Sequence, residues 1–504
     1  MVGGFRNGFR LGYKGPLSST FRKNSISVHS NLAAAKAKVE EERSLGRLAG
    51  PFRRPPFAVF KCSPLSLRAK QTPGKFRLLH DLSAPYDDNA VNRNIPDADA
   101  KVSYPTVEDA IAIISRLERP FMAKADLKDA YRQIPLAPDQ YWLVGFQLEK
   151  QFYHDLRLPM GARSSCAIFE RVTNALAHIL RTKYGVRYLV KLLDDFLFIG
   201  ESKAECARAL AAFENLCESL GLPLATEKTE PPGRRVTFLG ITLDSERKEA
   251  SLPEGKASRY SEEARALAKK DSCSLRDLRE ITGKLEHVTT IIPGGRAFIR
   301  RLHWAKRGPQ RPGRTIRLYQ GHRADLRTWV AFLRENNARS LFRFITGEGR
   351  AELKMGSDAS KKGFGGFLGP DCIAGSFPKD WQSLTIEALE LYPILVLVGT
   401  FEERLRDKEV VVACDNLPLV HCLNKMTSRN RQVMALMRLL VLVLMRANAT
   451  LRAEHIRSHD NWLADVLSRH QVTGEWLRRH GMASELTPIP PSLTPEGLRP
   501  VFTH

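Results

Sequence analysis

The stretch YLVKLLDDFLFIG, Tyr188–Gly200, decides the fold. Apolar residues flank Asp194-Asp195 on both sides, and runs of this length rich in Leu, Val, Ile and Phe predict a buried hairpin with the two acids at its turn. Adjacent buried carboxylates repel one another unless a cation neutralises them. Alone, the pair reads better as an ordinary acidic turn. A second segment, FMAKADLKDAYRQIPL (121–136), again runs an apolar strand into an acid, Asp126. Two strand-borne acids that meet in space suit a pair of Mg²⁺ ions about 3.5–4 Å apart, the arrangement for in-line phosphoryl transfer.

Composition limits the remaining classes. The chain has 504 residues and a formal charge of +23, with 43% hydrophobic residues. That is enough apolar content for folded cores and, by length, for about three domains or one multi-lobed enzyme. The positive charge favours polyanionic partners. No apolar run reaches the ~20 residues of a membrane span, so no membrane partner is expected. The start MVGGFRNGFRLGYKG lacks the apolar core of a secretory signal. The eight cysteines contain no C-x-x-C, which fits a reducing compartment; the expectation is an intracellular protein, cytoplasmic or nuclear and not secreted.

The charge is uneven. Residues 251–350 hold 22 Lys and Arg against 10 Asp and Glu, about half the net total. Between Arg296 and Arg327 ten basic residues face one acid, Asp325, with Leu302 and Trp304 interleaved and Trp329 just beyond. A solvated helix face is one reading; a folded element with a basic face that tracks phosphates is the favoured one. Arg296, Arg300, Arg301, Lys306, Arg307, Arg311 and Arg314 are the candidate nucleic-acid contacts.

Beyond residue 351 the pattern restarts. LKMGSDASKKGFGGFLG (353–369) reads as a strand, an acid and a Gly-rich strand, and LTIEALELYPILVLVGTF (384–401) as a helix. KEVVVACDN (408–416) ends a strand in Asp415, and EHIRSHDNWLADVLSR (454–469) leads a strand into a helix. Strands ending in acids with helices between predict an α/β domain whose carboxylates gather at one sheet end.

The ordered series KFRLLHDLS (75–83), ADLKDAYRQIPL, LPMGARSSCAIF (158–169), LLDDFLFIG, TEKT (226–229) and FLGITL (238–243) resembles the motifs of reverse transcriptases. The flanks GFRLGYKGP, SLGRLAGPF and GKLEHVTTIIPGGRAFIRRL resemble the DIRS/Ngaro type, retrotransposons that carry a tyrosine recombinase. The segment from 353 to 469 resembles a retroelement ribonuclease H. The implied fold is an α+β right-hand polymerase with fingers, palm and thumb, followed by an α/β ribonuclease H-like domain. The expected organisation is a basic leader (1–50), fingers and palm (51–245), basic thumb and connection (246–350), ribonuclease H (351–472) and a C-terminal tail (473–504).

By resemblance, Asp126, Asp194 and Asp195 are the catalytic acids of the polymerase and hold its metals. Lys228 is matched to the lysine that protonates pyrophosphate. Lys70 and Arg77 are matched to the cations that clamp the triphosphate, a surface basic hairpin being the alternative. Tyr131 is matched to the aromatic that selects deoxyribose, a plain core tyrosine being the alternative, and Gly161 to the glycine that lets the nucleotide approach. Asp358, Glu390, Asp415 and Asp465 are matched to the metal-binding acids of the nuclease, with Glu387 a rival for the second. Two Mg²⁺ per site, or Mn²⁺, are implied as cofactors. RNA template, DNA primer, RNA–DNA hybrid and deoxynucleoside triphosphates are implied as partners. Leu192 replaces the family's usual tyrosine and Met160 its frequent glutamine. Two rivals share parts of this reading: a gypsy-type polyprotein fragment and a domesticated, non-catalytic nucleic-acid binder.

Overall fold

The computed structural model describes residues 1–69, 74, 76–309, 313–335, 339–342, 353–469 and 472–502. The chain forms two compact units, one of Met1–Ile113 with Leu117–Leu239, the other of Ile114–Arg116 with Gly240–His504.

The first unit contains strands β1 (Thr20–Phe21), β2 (Leu48–Phe52), β3 (Lys61–Cys62), β4 (Leu65–Ala69), β5 (Phe76–His80), β6 (Phe121–Asp126), β7 (Gly145–Leu148), β8 (Gln151–Asp155), β9 (Tyr188–Leu192), β10 (Asp195–Gly200) and β11 (Glu230–Gly233). The central sheet has the order β11-β6-β10-β9. β10 runs antiparallel to both neighbours, and Asp195 stands opposite Asp126 on one side and Leu192 on the other. Helices α2 (Ser165–Lys183) and α3 (Lys203–Ser219) contribute apolar residues to the same core, which is why β9 and β10 read as nearly continuous apolar runs. Phe196 and Phe198 meet Phe213 of α3 at ring-centroid distances of 4.4 and 5.4 Å. Ser202 caps α3 by accepting from the Glu205 amide.

The first 50 residues, expected as a separate basic leader, are folded into this unit. Phe9 and Leu11 are buried in the core that contains Ala123, Ala125 and Phe196. The Phe9 amide donates to the Pro135 carbonyl, and the Ala137 amide to that of Phe9. β1 and β2 are strands of a second sheet, ordered β1-β3-β7-β8-β2. The preceding helix α1 (Leu32–Ser44) buries Ala35 and Val39 against Leu65, Leu67 and Phe146. Its apolar positions are mostly alanines set among Lys and Glu, so composition alone reads the segment as solvated.

In the second unit, α4 (Lys256–Ala268), α5 (Leu275–Val288), α6 (Arg296–Ala305) and α7 (Gln320–Glu335) precede an α/β domain. Ser274 caps α5 by accepting from the Asp277 amide, and Leu275, Leu278, Leu285 and Val288 are buried. The α/β domain comprises β12 (Leu353–Ala359), β13 (Gly363–Leu368), β14 (Asp371–Ser376), α8 (Ile386–Thr400), β15 (Glu409–Cys414), α9 (Leu417–Lys425), α10 (Arg431–Arg446), β16 (Thr450–His455) and α11 (Trp462–Ser468). Its sheet order is β14-β13-β12-β15-β16; the first three strands are antiparallel, and β12-β15-β16 are parallel. Residues beyond 473, expected as a tail, also pack on this domain. Leu477 joins Cys372 and Leu467 in a small core, the Tyr392 hydroxyl donates to the Leu493 carbonyl, and Phe502 meets Trp381 edge to face. Prolines hide this docking from a compositional reading.

Candidate active sites

The three polymerase acids converge through strand register. Asp126 ends β6 opposite Asp195, the first residue of β10. Asp194 lies in the two-residue turn that joins β9 to β10. Its carbonyl accepts from the Leu127 amide at 3.0 Å, and that of Asp126 from the Ala225 amide at 2.8 Å. The turn's first residue, Leu193, has φ +53°, a conformation for which glycine is the usual choice and which costs a leucine about 1 kcal/mol. Strain at the residue that presents an acid fits a functional position.

Burial raises the Asp194 carboxyl above its ordinary range, and the charges of Asp126 and Asp195 raise it further. Burial likewise raises Asp195; Lys124, 3.4 Å away, opposes the shift and Asp126 adds to it. Lys228 Nζ lies 2.9 Å from Asp126 Oδ1, and this hydrogen bond raises the lysine above its usual value.

Tyr131 follows the Asp126 strand on a 3₁₀ turn. Its hydroxyl lies 3.1 Å from Cys166 Sγ and its ring packs on Phe169 at 5.2 Å. Burial first, then Cys166, raises its phenol. Gly161 is required by the protein's own backbone: a Cβ there would lie 1.7 Å from the His80 carbonyl oxygen. That contact gives the residue a structural reason besides the one inferred from sequence. Arg77 is exposed on the β4–β5 hairpin directly opposite Arg68, two like charges side by side. Lys70 lies outside the described residues.

The α/β domain brings its acids together from four elements. Asp358 lies on β12, Glu390 on α8, Asp415 just past β15 and Asp465 on α11. Asp358 accepts from Ser468 Oγ at 2.7 Å, and Asp465 Oδ1 from the Arg469 guanidinium at 2.7 and 2.9 Å. Burial raises Asp358, the Ser468 hydrogen bond opposes, and Asp415 and Asp465 raise it further. Burial pushes Glu390 up to about 7; Asn416 opposes, while Asp415, Asp358 and Glu387 add to the shift. Glu390 Oε2 is buried without a hydrogen-bond partner.

Among the described residues, no set of three or more His, Cys, Asp and Glu side chains closes on a single point as a metal cage would. Lys228, Lys124 and Arg469 instead engage the carboxylates. The donor chemistry nonetheless fits a hard divalent cation: every candidate ligand is a carboxylate oxygen, neighbouring carboxylates raise the proton affinity of Asp194 and Asp358, and Glu390 offers a free buried oxygen.

The basic segment divides. Arg301 donates to Asp325 at 2.9 Å, and Asp325 also pairs with Arg438 of α10 at 3.2 Å. The Asp325 side chain is 2% exposed, and burial raises its carboxyl to about 6 despite both arginines. Arg314 is spent on the carbonyls of Arg307 and Pro309. These two residues, expected on the polyanion face, hold the protein together, because the lone acid and open carbonyls of a basic segment recruit the nearest guanidinium. Arg296 and Arg300 are partly buried, Lys306 lies within electrostatic reach of Glu286, Arg307 is exposed, and Arg311 lies outside the described residues.

One network escapes sequence reasoning. Arg132 bridges Asp155 at 2.6 Å and Glu42 at 2.8 Å; Asp155 also meets His80 at 3.0 Å, and Arg47 connects Glu42 to Asp129. Burial opposes the charge on Asp155, but Arg132 and the His80 hydrogen bond outweigh it and hold the carboxyl low. The only sequence signal is Arg132 itself, a charge inside an apolar motif.

Residues 69–243 match the reverse transcriptase (RNA-dependent DNA polymerase) family. Those residues therefore carry a reverse transcriptase domain. It is 26% identical over 295 residues to the Gag-Pro-Pol polyprotein of Human T-cell leukemia virus 3 (strain 2026ND), covering 57% of this chain and 18% of that one. To the Gag-Pro-Pol polyprotein of Bovine leukemia virus (isolate Australian) it is 28% identical, covering 58% and 19%. The chain thus spans about a fifth of these relatives' length. In fold it is similar to the foamy viral protease-reverse transcriptase in complex with RNA/DNA hybrid, with TM-score 0.52, 17% identity, and coverage of 88% of this chain and 56% of that one. The corresponding dRH protein in complex with ds DNA gives TM-score 0.51 at 16% identity, with 88% and 73% covered. The fold is that of a reverse transcriptase polymerase.

Proposed function

We propose that the chain synthesises DNA on RNA and DNA templates and cleaves the RNA strand of the resulting hybrid through a C-terminal ribonuclease H. The observation that carries the polymerase reading is Asp126 opposite Asp195 across adjacent strands, with Asp194 in the turn that leads into β10. Asp126, Asp194 and Asp195 would hold two Mg²⁺, or Mn²⁺, which supply Lewis acidity toward the primer 3′-hydroxyl and the triphosphate. Lys228, protonated at neutral pH beside Asp126, has a proton to give to departing pyrophosphate. Arg77, with Lys70, binds the triphosphate. The Tyr131 ring, braced by Phe169 and Cys166, excludes a ribose 2′-hydroxyl. The nuclease reading rests on Asp358, Glu390, Asp415 and Asp465, whose mutual proximity shows in the raised proton affinity of Asp358 and Glu390. A foamy viral relative of like fold was captured with an RNA/DNA hybrid, and such a hybrid is the substrate proposed here. The reading extends to a DIRS/Ngaro-type element, which the flanking motifs resemble, working inside the cell.

Primer extension on an RNA template with Mg²⁺ tests the first activity. The double variant Asp194→Asn, Asp195→Asn should bind template–primer and fail to extend it; continued extension refutes the site. Asp358→Asn should stop RNA cleavage and spare synthesis.

A further inference from the structure

Two tyrosines share one thiol within electrostatic reach of the polymerase acids. The Tyr131 hydroxyl and Cys166 Sγ lie 3.1 Å apart, and the Tyr104 hydroxyl is hydrogen-bonded to the same sulfur. Cys166 lies in the first turn of α2, and all three side chains belong to half-buried residues. A thiol carries one proton and weak acceptor lone pairs, so the sulfur engages both phenols at once. Burial first, then Cys166, raises both phenols, Tyr104 to about 12, and both remain hydroxyls at neutral pH.

The backbone under Tyr131 is pinned, and its ring is not. Asp129 and Ala130 have φ of +58° and +24°, left-handed values that residues with a Cβ avoid unless held. Arg47 holds Asp129 at 2.8 Å, and Arg132, the residue after Tyr131, is tied to Asp155 and Glu42. These contacts fix where the tyrosine leaves the chain and leave the torsions of its ring open. Two residues of α2 set them: Phe169 packs on the ring at 5.2 Å with the planes inclined at 59°, and Cys166 stops the hydroxyl. The helix is anchored in turn. Glu170, one turn beyond Cys166, accepts from Lys191 of β9 at 2.6 Å, and Thr173 accepts from the same ammonium at 3.0 Å. The Lys191 and Glu170 side chains are both buried. β9 runs into the turn that presents Asp194, so the thiol stands at a fixed place relative to that acid.

We propose that Cys166, backed by Tyr104, is the positioning residue that sets the tilt of the Tyr131 ring and thereby how strictly the site refuses a ribonucleotide. This rests on the reading of Tyr131, given above, as the ring that excludes a 2′-hydroxyl. Aromatic packing tolerates several ring inclinations, whereas a contact from hydroxyl to thiol fixes the far end of the ring. Freed of the thiol, the ring yields to a 2′-hydroxyl at less cost. Ribonucleotides then gain, and deoxynucleotides, which bring no such oxygen, do not.

Primer extension by the full chain, with one deoxynucleotide or the matching ribonucleotide supplied, gives discrimination as a ratio of kcat/KM. Cys166→Ala should lower that ratio about fivefold, the scale of one weak hydrogen bond, through a lower KM for the ribonucleotide. Cys166→Ser, which keeps a hydroxyl at the same place, should recover most of the loss. Tyr131→Phe removes the other partner and should lower the ratio by a similar factor, with the double variant falling no further. Tyr104→Phe should give a smaller loss in the same direction. A merely loosened core would slow both sugars alike, so an equal loss with both overturns the proposal. Multiplying factors in the double variant overturn it too, as does an unchanged ratio in Cys166→Ala while Tyr131→Ala relaxes selection. If Tyr131→Ala itself leaves the ratio unchanged, the reading of Tyr131 fails first and the proposal falls with it.

Discussion

Replacing Glu390 with glutamine should stabilise the metal-free α/β domain, and only above mildly acid pH. Burial and the neighbouring acids raise this carboxyl from 4.5 to about 7. Folded Glu390 therefore holds its proton more tightly than the unfolded chain does. Its contribution to stability is fully present below about pH 4.5 and is lost as pH rises through 7. The shift corresponds to about 3 kcal/mol, reduced to roughly 2 because the side chain is partly exposed. Glutamine has no proton to lose. Calorimetry of the full chain in chelator, following the transition of the second unit, should show the parent protein falling relative to Glu390→Gln by roughly 4–12 °C between acid and neutral conditions. Adding Mg²⁺ at the alkaline end should restore much of the difference, since a cation removes the repulsion that penalises the charge. Parallel pH profiles for the two proteins would refute the reasoning: the carboxylates would then not be coupled.

Three further outcomes follow from the same geometry. Deleting residues 1–47 removes Phe9, Leu11, Val28 and Val39 from the core, on the order of 6 kcal/mol or more of burial, so the polymerase unit should be recovered only as insoluble protein. Gly161→Ala places a methyl group 1.7 Å from the His80 oxygen, and the variant should show accelerated limited proteolysis of the first unit together with lost primer extension. Tyr131→Ala should raise ribonucleotide incorporation on the order of ten- to a hundredfold, measured as relative kcat/KM for the two sugars.

The legible parts of this protein are those whose signal is local. An apolar run broken by Asp194-Asp195, and another ending in Asp126, specify two strands and their acids before any pairing is known, because burial on both faces leaves few alternatives. The same holds for β12 and β15 with Asp358 and Asp415. What the chain concealed depends on distant partners. Arg301 and Arg314 look identical to Arg307 in a basic run, yet Asp325 and loop carbonyls claim the first two. Glu42 reads as one acid in a charged helix until Arg132, 90 residues away, arrives beside it. Phe9 and Leu11 gave no periodicity because they enter the core as single extended residues, without a helix or strand face to repeat them.

The ion triad of Asp325, Arg301 and Arg438 has a consequence for exchange between related elements. Asp325 belongs to the helical half of the second unit and Arg438 to the α/β half, and each is nearly sealed from water. A recombination that imported a foreign α/β domain without the arginine would leave Asp325, among the described residues, with Arg301 as its counter-charge. The reverse crossover would strand the guanidinium. The two halves are thus heritable as a pair, and a junction placed between residues 325 and 438 should succeed only where both partners travel together.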